Sequence, residues 1–189
     1  MSRSSRQTDY AHLRNAMIDR HVAGRGVRDP RVLASMREVP RHLFVPDSMA
    51  AKAYGPSALP IGQKQTISQP YIVGRMIELL ELDGSEKVLE IGTGTGYQAA
   101  VLSHLAAKVF SIERISELAL QAVDILRDLK INNVSIKVFD GSYGWSDQAP
   151  FDRIIIAAAA PEVPEPLLNQ LSRTGTMVLP LGPEGNQRL

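Results

Sequence analysis

The chain has 189 residues, 44% of them hydrophobic, and a formal net charge of +1. That length predicts one domain with a sizeable core, and the near-neutral charge offers no electrostatic footprint for nucleic acid or an anionic membrane. The lack of cysteine excludes a disulfide framework, a thiolate nucleophile and a zinc–thiolate site. The opening MSRSSRQTDY has no apolar stretch of the kind a signal peptide needs, and no apolar run reaches the length of a membrane span. A cytoplasmic protein is therefore expected. From the start of the chain, Tyr10, Leu13, Met17 and Val22 recur at helical spacing, predicting a first helix over 9–22 that Gly24 and Gly26 end. Asp29-Pro30 reads as a cap followed by proline at the first helical position. Val32, Leu33 and Met36 give this second helix its apolar face, and Pro40 stops it. The run from Arg41 to Pro46 is too short and proline-bound for a helix, and His42 within it reads as a structural histidine near the core.

Residues 58–70 show little periodicity and read as a loop rich in hydroxyl and amide groups. A long loop placed just before a nucleotide-binding unit is often functional. Ser68 or Gln69 is expected to cap the next helix, with Pro70 in its first turn. Val88 to Ile91 then reads as a buried strand, followed by Gly92, Gly94 and Gly96 alternating with Thr93 and Thr95, and by a helical run from Tyr97 to Leu105. Strand, glycine turn and helix form the opening unit of a doubly wound nucleotide-binding fold, in which glycines permit a tight turn and close ligand approach and the helix N-terminus offers N–H groups. The spacing is G-x-G-x-G. A dinucleotide fingerprint would need its third glycine at Tyr97, which disfavours a nicotinamide-dependent oxidoreductase. Lys108 to Ile112 reads as a second strand ending in Glu113, an acid about 20 positions past the glycines that can accept both ribose hydroxyls. Read alone, GTGTG could be a simple tight turn and Glu113 a surface charge; their order with strand and helix favours a nucleotide site.

Beyond Glu113, Ser116 is expected to cap a helix running to about Lys130, whose buried stripe is Leu118, Ala122, Ile125, Leu126 and Leu129. Val134 to Phe139 reads as a third strand ending at Asp140-Gly141. Arg153 to Ala157 is the continuous apolar run of a central parallel strand. A short helix over 164–171 and a fifth strand over 175–181 complete the pattern, which predicts an α/β, doubly wound, mostly parallel sheet with helices on both faces. Residues 1–70 form an N-terminal helical region with the candidate substrate loop, and 71–189 the α/β core.

The G-x-G-x-G motif after the acidic strand residue Glu90 resembles motif I of the S-adenosylmethionine-dependent methyltransferases. With HLFVP (42–46), LPIGQKQTISQPYIV (59–73), VLEIGTGTGYQAAVL (88–102), FSIERI (110–115), Asp140-Gly141, APFDRIII (149–156), AAAAPEVP (157–164) and MVLPLG (177–182), nearly the whole chain resembles the protein-L-isoaspartate (D-aspartate) O-methyltransferases. GTGTGY is generic to methyltransferases, and QTISQP is far more specific. The resemblance implies a Rossmann-like class I fold and a repair activity. S-adenosylmethionine would donate a methyl group to the free α-carboxylate of L-isoaspartyl residues in damaged proteins and peptides, with D-aspartyl residues as a further candidate acceptor. It would leave S-adenosylhomocysteine and need no metal. Such sheets usually carry two more strands, for which the eight residues after Leu181 do not suffice, so the last strands are expected to be missing. A cofactor-binding but inactive form stays open on that ground, as does a class I methyltransferase with another carboxylate or small-molecule acceptor.

A carboxylate acceptor agrees with the residues themselves. With a pKa near ~3.9 it is already ionised at pH 7 and needs no base. The chain also lacks the Asn-Pro-Pro-Tyr-type signature of amino-methylating nucleic-acid enzymes, with Ala157-Ala158-Ala159-Ala160-Pro161 standing there instead. The resemblance implies that Gly92, Gly94 and Gly96, with Glu90 and Thr93, face the methionine and ribose parts of the cofactor and that Glu113 holds the ribose. Asp140 and Gly141 would recognise adenine. Ser68 would be the active-site hydroxyl that orients the carboxylate, and Thr66, Ile67, Gln69 and Pro70 would contact the substrate. Tyr71 stands where some family members carry histidine, and takes no role. A monomer is expected, with neither nucleic acid nor membrane as a partner.

Overall fold

In the computed structural model, residues 3–158, 162–182 and 188–189 are described. The chain begins as a helix, α1 (Arg3–Met17), which loosens into a π-helical turn at Ile18–Val22 and a 3-10 turn at Ala23–Arg25. Gly26 closes it with φ 108°, the left-handed region that glycine enters without strain. α2 (Pro30–Glu38) starts as its sequence predicts: the Asp29 side chain accepts from the Arg31 N–H and Pro30 opens the helix. Two 3-10 turns, Arg41–Phe44 and Asp47–Lys52, follow, the first within the run expected to be too short and proline-bound for a helix.

The segment 58–70 is not a loop. It is a hairpin of β1 (Leu59–Gly62) and β2 (Gln65–Ile67), paired antiparallel with Leu59 opposite Ile67 and Gly62 opposite Gln65. Gln63 and Lys64 make the turn with φ of 49° and 56°, the sign at both positions that matches the right-handed twist of a hairpin. Asn-Gly would announce such a turn and Gln-Lys does not, which hides the hairpin in the sequence. α3 (Pro70–Glu78) follows with Gln69 at its N-cap position and no side-chain cap bond. Ser68 therefore stands one residue outside the helix and is not its cap.

β3 (Lys87–Ile91), α4 (Tyr97–Ser103), β4 (Lys108–Glu113), α5 (Ser116–Asp128), β5 (Val134–Val138), β6 (Phe151–Ile156), α6 (Glu165–Leu168) and β7 (Leu171–Val178) build the core. Ser116 is the first residue of α5 rather than its cap, and β7 begins four residues before the expected strand. The central sheet has the order β5-β4-β3-β6-β7 and every pairing in it is parallel. Its order reverses beside β3, which opens a crevice at the strand's carboxyl end. Among the described residues past β7, Leu181 and Arg188 form one antiparallel bridge.

The N-terminal helices cover α4, in which Ala99, Ala100, Val101 and Leu102 are wholly buried. Ser35 of α2 donates its hydroxyl to the Val101 carbonyl at 2.8 Å. A Cβ on Gly74 of α3 would lie 2.9 Å from Val22 and 3.1 Å from Met36, so only glycine lets α3 pack this closely. Met17, Met36, Ile77, Val88, Val109 and Ile155 thus belong to one core shared by the N-terminal helices and one face of the sheet, while Leu89, Phe110, Phe151 and Ile154 form a second, smaller core.

Candidate active site

The glycine turn leaves β3 at Ile91 and bends back over the sheet. Gly92, Gly94 and Gly96 have φ of 94°, 56° and 92°. At Gly96 a Cβ would also lie 3.2 Å from the Ala122 Cβ of α5, so this glycine seats the turn against a helix as well as bending it. The turn's own amides are largely committed. Gly92 and Thr93 donate to the Ile112 carbonyl, Gly96 donates to the Thr93 carbonyl, and Gly94 donates to Glu113 Oε2 at 2.8 Å. A phosphate cradle needs such amides free, so the turn is built for a ligand portion without phosphate.

Glu113 ends β4. Its other oxygen, Oε1, accepts from the Ile115 N–H at 3.0 Å. A carboxylate offers about four acceptor positions, so two backbone bonds fix the group and leave capacity for a pair of hydroxyls. It lines a cavity of about 180 Å³ with Gly92, Thr93, Gly94 and Ser68. Thr66, Ile67 and Ala157 also line it. Gln69 and Pro70 do not; Pro70 is buried at the start of α3. Ala158 continues the apolar wall, while Ala159, Ala160 and Pro161 lie outside the described residues.

Glu90 is fully enclosed and outside the cavity lining. Ser111 donates its hydroxyl to Glu90 Oε2 and accepts from Thr93 Oγ1 at 2.5 Å. The acid thus reaches the glycine turn through two hydroxyls instead of facing the cavity. Burial pushes its carboxyl up to about 8, and the Glu113 charge adds to the effect, against the lowering influence of Ser111 and Gln98. Even so, Glu90 Oε1 and Gln98 Nε2 make no hydrogen bond of good geometry.

A family model for protein-L-isoaspartate (D-aspartate) O-methyltransferase matches residues 12–189. The chain belongs to this family. It is 53% identical over 176 residues to the protein-L-isoaspartate O-methyltransferase of Geobacter metallireducens, covering 93% of this chain and 82% of that one. Enzyme 2 of that name from Shewanella sediminis is 56% identical over 173 residues, covering 92% and 71%. A solved protein-L-isoaspartate O-methyltransferase superposes with a TM-score of 0.79 at 30% identity, covering 89% of this chain and 55% of that one. A beta-aspartate methyltransferase of Plasmodium falciparum, solved in complex with S-adenosyl-L-homocysteine, shares the fold with a TM-score of 0.79 at 22% identity, covering 92% and 86%.

For a protein-L-isoaspartate O-methyltransferase, the two residues expected at the adenine stand apart from the rest. Asp140 is exposed and caps its own turn, accepting from the Ser142 N–H and hydroxyl at 3.0 and 2.8 Å. Those bonds, with a smaller contribution from Arg114, hold its carboxyl below the usual carboxylate range. Gly141 packs on Ile91, and a Cβ there would collide with that side chain. Neither lines the cavity of Glu113 and Ser68.

Sequence reasoning placed Ile61 and Gln65 only within the candidate substrate loop, and passed over Val73 of α3 and Thr95, Tyr97 and Gln98 after the glycines as lining residues. It also passed over Arg41, which is fully buried. Arg41 Nε donates to the Ala53 carbonyl at 2.9 Å and Nη2 to the Ser68 carbonyl at 2.7 Å, and the guanidinium lies 4.7 Å from the Tyr97 ring centroid. Burial pushes it below the usual guanidinium range, against the raising influence of Tyr97 and Tyr54. An arginine beside an apolar run carries no periodic signal of burial. His42 fulfils its structural reading: it stacks on Tyr10 at 4.0 Å and its Nδ1 meets the Tyr54 hydroxyl at 2.7 Å. The described residues contain no helix long and apolar enough to cross a membrane and no acid or histidine cluster able to hold a metal.

Proposed function

We propose that this protein transfers the methyl group of S-adenosylmethionine to the free α-carboxylate of L-isoaspartyl residues in damaged proteins and peptides. Family membership supports the reaction class. The observation that carries the residue assignment is the single cavity that Glu113 and Ser68 both line. The cofactor's sulfonium supplies an activated methyl carbon. A carboxylate oxygen forms the new C–O bond while the C–S bond breaks and its electron pair stays on sulfur. No proton moves, because the acceptor is ionised at neutral pH, and the residues need supply neither base nor metal. Their task is orientation: an acceptor within about 3–3.5 Å of the methyl reacts, and about 1 Å of misplacement costs roughly 100-fold.

Glu113 accepts the ribose hydroxyls, and the glycine turn, with Thr93 beside it, lies along the methionine portion. Gly94, whose N–H is tied to Glu113, keeps turn and acid in register. Asp140 and Gly141 serve the adenine at the outer end of the crevice. Ser68 donates to the acceptor carboxylate, while Thr66 and Ile67 on β2, with Gln69 and Pro70 behind them, form the peptide frame. Ala157 and Ala158 keep water from the reacting atoms. The protein acts as a cytoplasmic monomer on damaged proteins and peptides, without nucleic acid or membrane.

The test is radiolabelled methyl incorporation into matched isoaspartyl and aspartyl peptides. The two carboxylates are similar in basicity, so only geometry separates them. The expected result is methylation of the isoaspartyl peptide at least 100-fold faster. Equal rates would overturn the repair reading and leave a generic carboxyl methyltransferase.

A further inference from the structure

The turn Arg41–Phe44 joins two parts of the site that are distant in sequence. At one end the Phe44 carbonyl accepts from Thr95 Oγ1 at 2.7 Å, and the Phe44 ring meets Tyr97 edge-on at 5.5 Å, so the turn is fastened to the glycine motif. At the other end Arg41 Nη2 holds the Ser68 carbonyl. Ser68 lies between the end of β2 and the start of α3, so no sheet or helix fixes its backbone. Arg41 Nη1 and the Tyr97 hydroxyl are both buried with no hydrogen-bond partner of good geometry.

A buried cation whose contacts here are two carbonyls and an aromatic face is a costly way to fill space, and an apolar side chain of similar volume would pack the turn more cheaply. What the apolar side chain could not do is span from Ala53 to Ser68 with a planar fork of donors. Nor could it place a positive charge on the backbone carbonyl of the residue whose hydroxyl is meant to receive a carboxylate. We propose that Arg41 is a positioning residue of the methyl-acceptor site: it sets the Ser68 backbone against the cofactor turn and favours an anionic acceptor there. This rests on the reading of Ser68 as the orienting hydroxyl.

The test is a double-mutant cycle with R41M, S68A and R41M/S68A, assayed with an isoaspartyl peptide at saturating S-adenosylmethionine. Calorimetry with S-adenosylhomocysteine accompanies each variant. Each single substitution should lower kcat/KM at least tenfold, with S-adenosylhomocysteine affinity within threefold of the parent. The double variant should be no more than threefold worse than the poorer single one, because residues acting as a unit are not additive. If R41M does not fold, R41K takes its place in the same cycle, keeping the charge but losing the fork. An impaired S68A combined with losses that multiply would overturn the role of Arg41 alone. An unimpaired S68A would overturn the reading of Ser68 and this proposal with it.

Discussion

Glu113 is held by its own backbone surroundings: Gly94 and Ile115 each give one N–H to a different carboxylate oxygen. The group need not be ordered on binding, which raises the worth of the bonds it then makes. With the ribose role proposed for Glu113, Glu113→Ala would remove two charge-assisted bonds, each worth roughly 1.5–3 kcal/mol. It also frees the Gly94 amide that anchors the turn. Calorimetry should show S-adenosylhomocysteine binding at least tenfold weaker, and unchanged affinity would refute the ribose assignment. Glu90, two residues before the first glycine, has the opposite character: enclosed, short of partners and pushed up to about 8.

At the scale of elements, α5 and the glycine turn meet at one point. The Ala122 Cβ occupies the space that a side chain on Gly96 would need, and the φ of 92° strains any L residue there. Gly96→Ala therefore combines a backbone penalty of order 1–3 kcal/mol with displacement of α5 from α4. Thermal unfolding should show a clear drop in Tm. Cofactor affinity should fall in the same variant, since Gly94, two residues away in the same turn, is tied to Glu113. A stable variant with parental affinity would mean that the turn tolerates a side chain and that Gly96 has no packing role.

For the whole molecule, Glu90 links the site to global stability. Its folded value of about 8 lies above the ordinary 4.5, so between these values the folded protein keeps a proton that the unfolded chain releases. The sign follows: this stabilisation is fully present below about pH 4.5 and is lost as pH rises through about 8, at up to about 1.4 kcal/mol per pH unit. Glu90→Gln removes the titration and keeps the shape. Its Tm relative to the parent, in cofactor-free protein, should rise steadily from pH 5 to pH 8 and level off above. A difference independent of pH would show that Glu90 is ionised in the folded state.

The glycine turn with its flanking strand and helix, Glu113 at the second strand's end, and the parallel α/β order were all legible in the sequence, because each rests on local periodicity or on spacing within one β-α-β unit. The Asp29-Pro30 helix start was legible for the same reason. The hairpin over 59–67 was not, because its turn is imposed at Gln63 and Lys64, residues with no preference for positive φ, by pairing and packing against the crevice. The setting of Glu90 beneath the turn and the release of Ser68 from a capping role depend on which strands are neighbours. Arg41 shows this most clearly: its burial, its hold on Ser68 and its place over Tyr97 bring together residues 27 and 56 positions away along the chain. Local sequence determines which elements form, whereas contacts between distant segments are fixed only when the core closes, and there the tertiary structure alone decides which polar groups face the cavity and which are enclosed behind it.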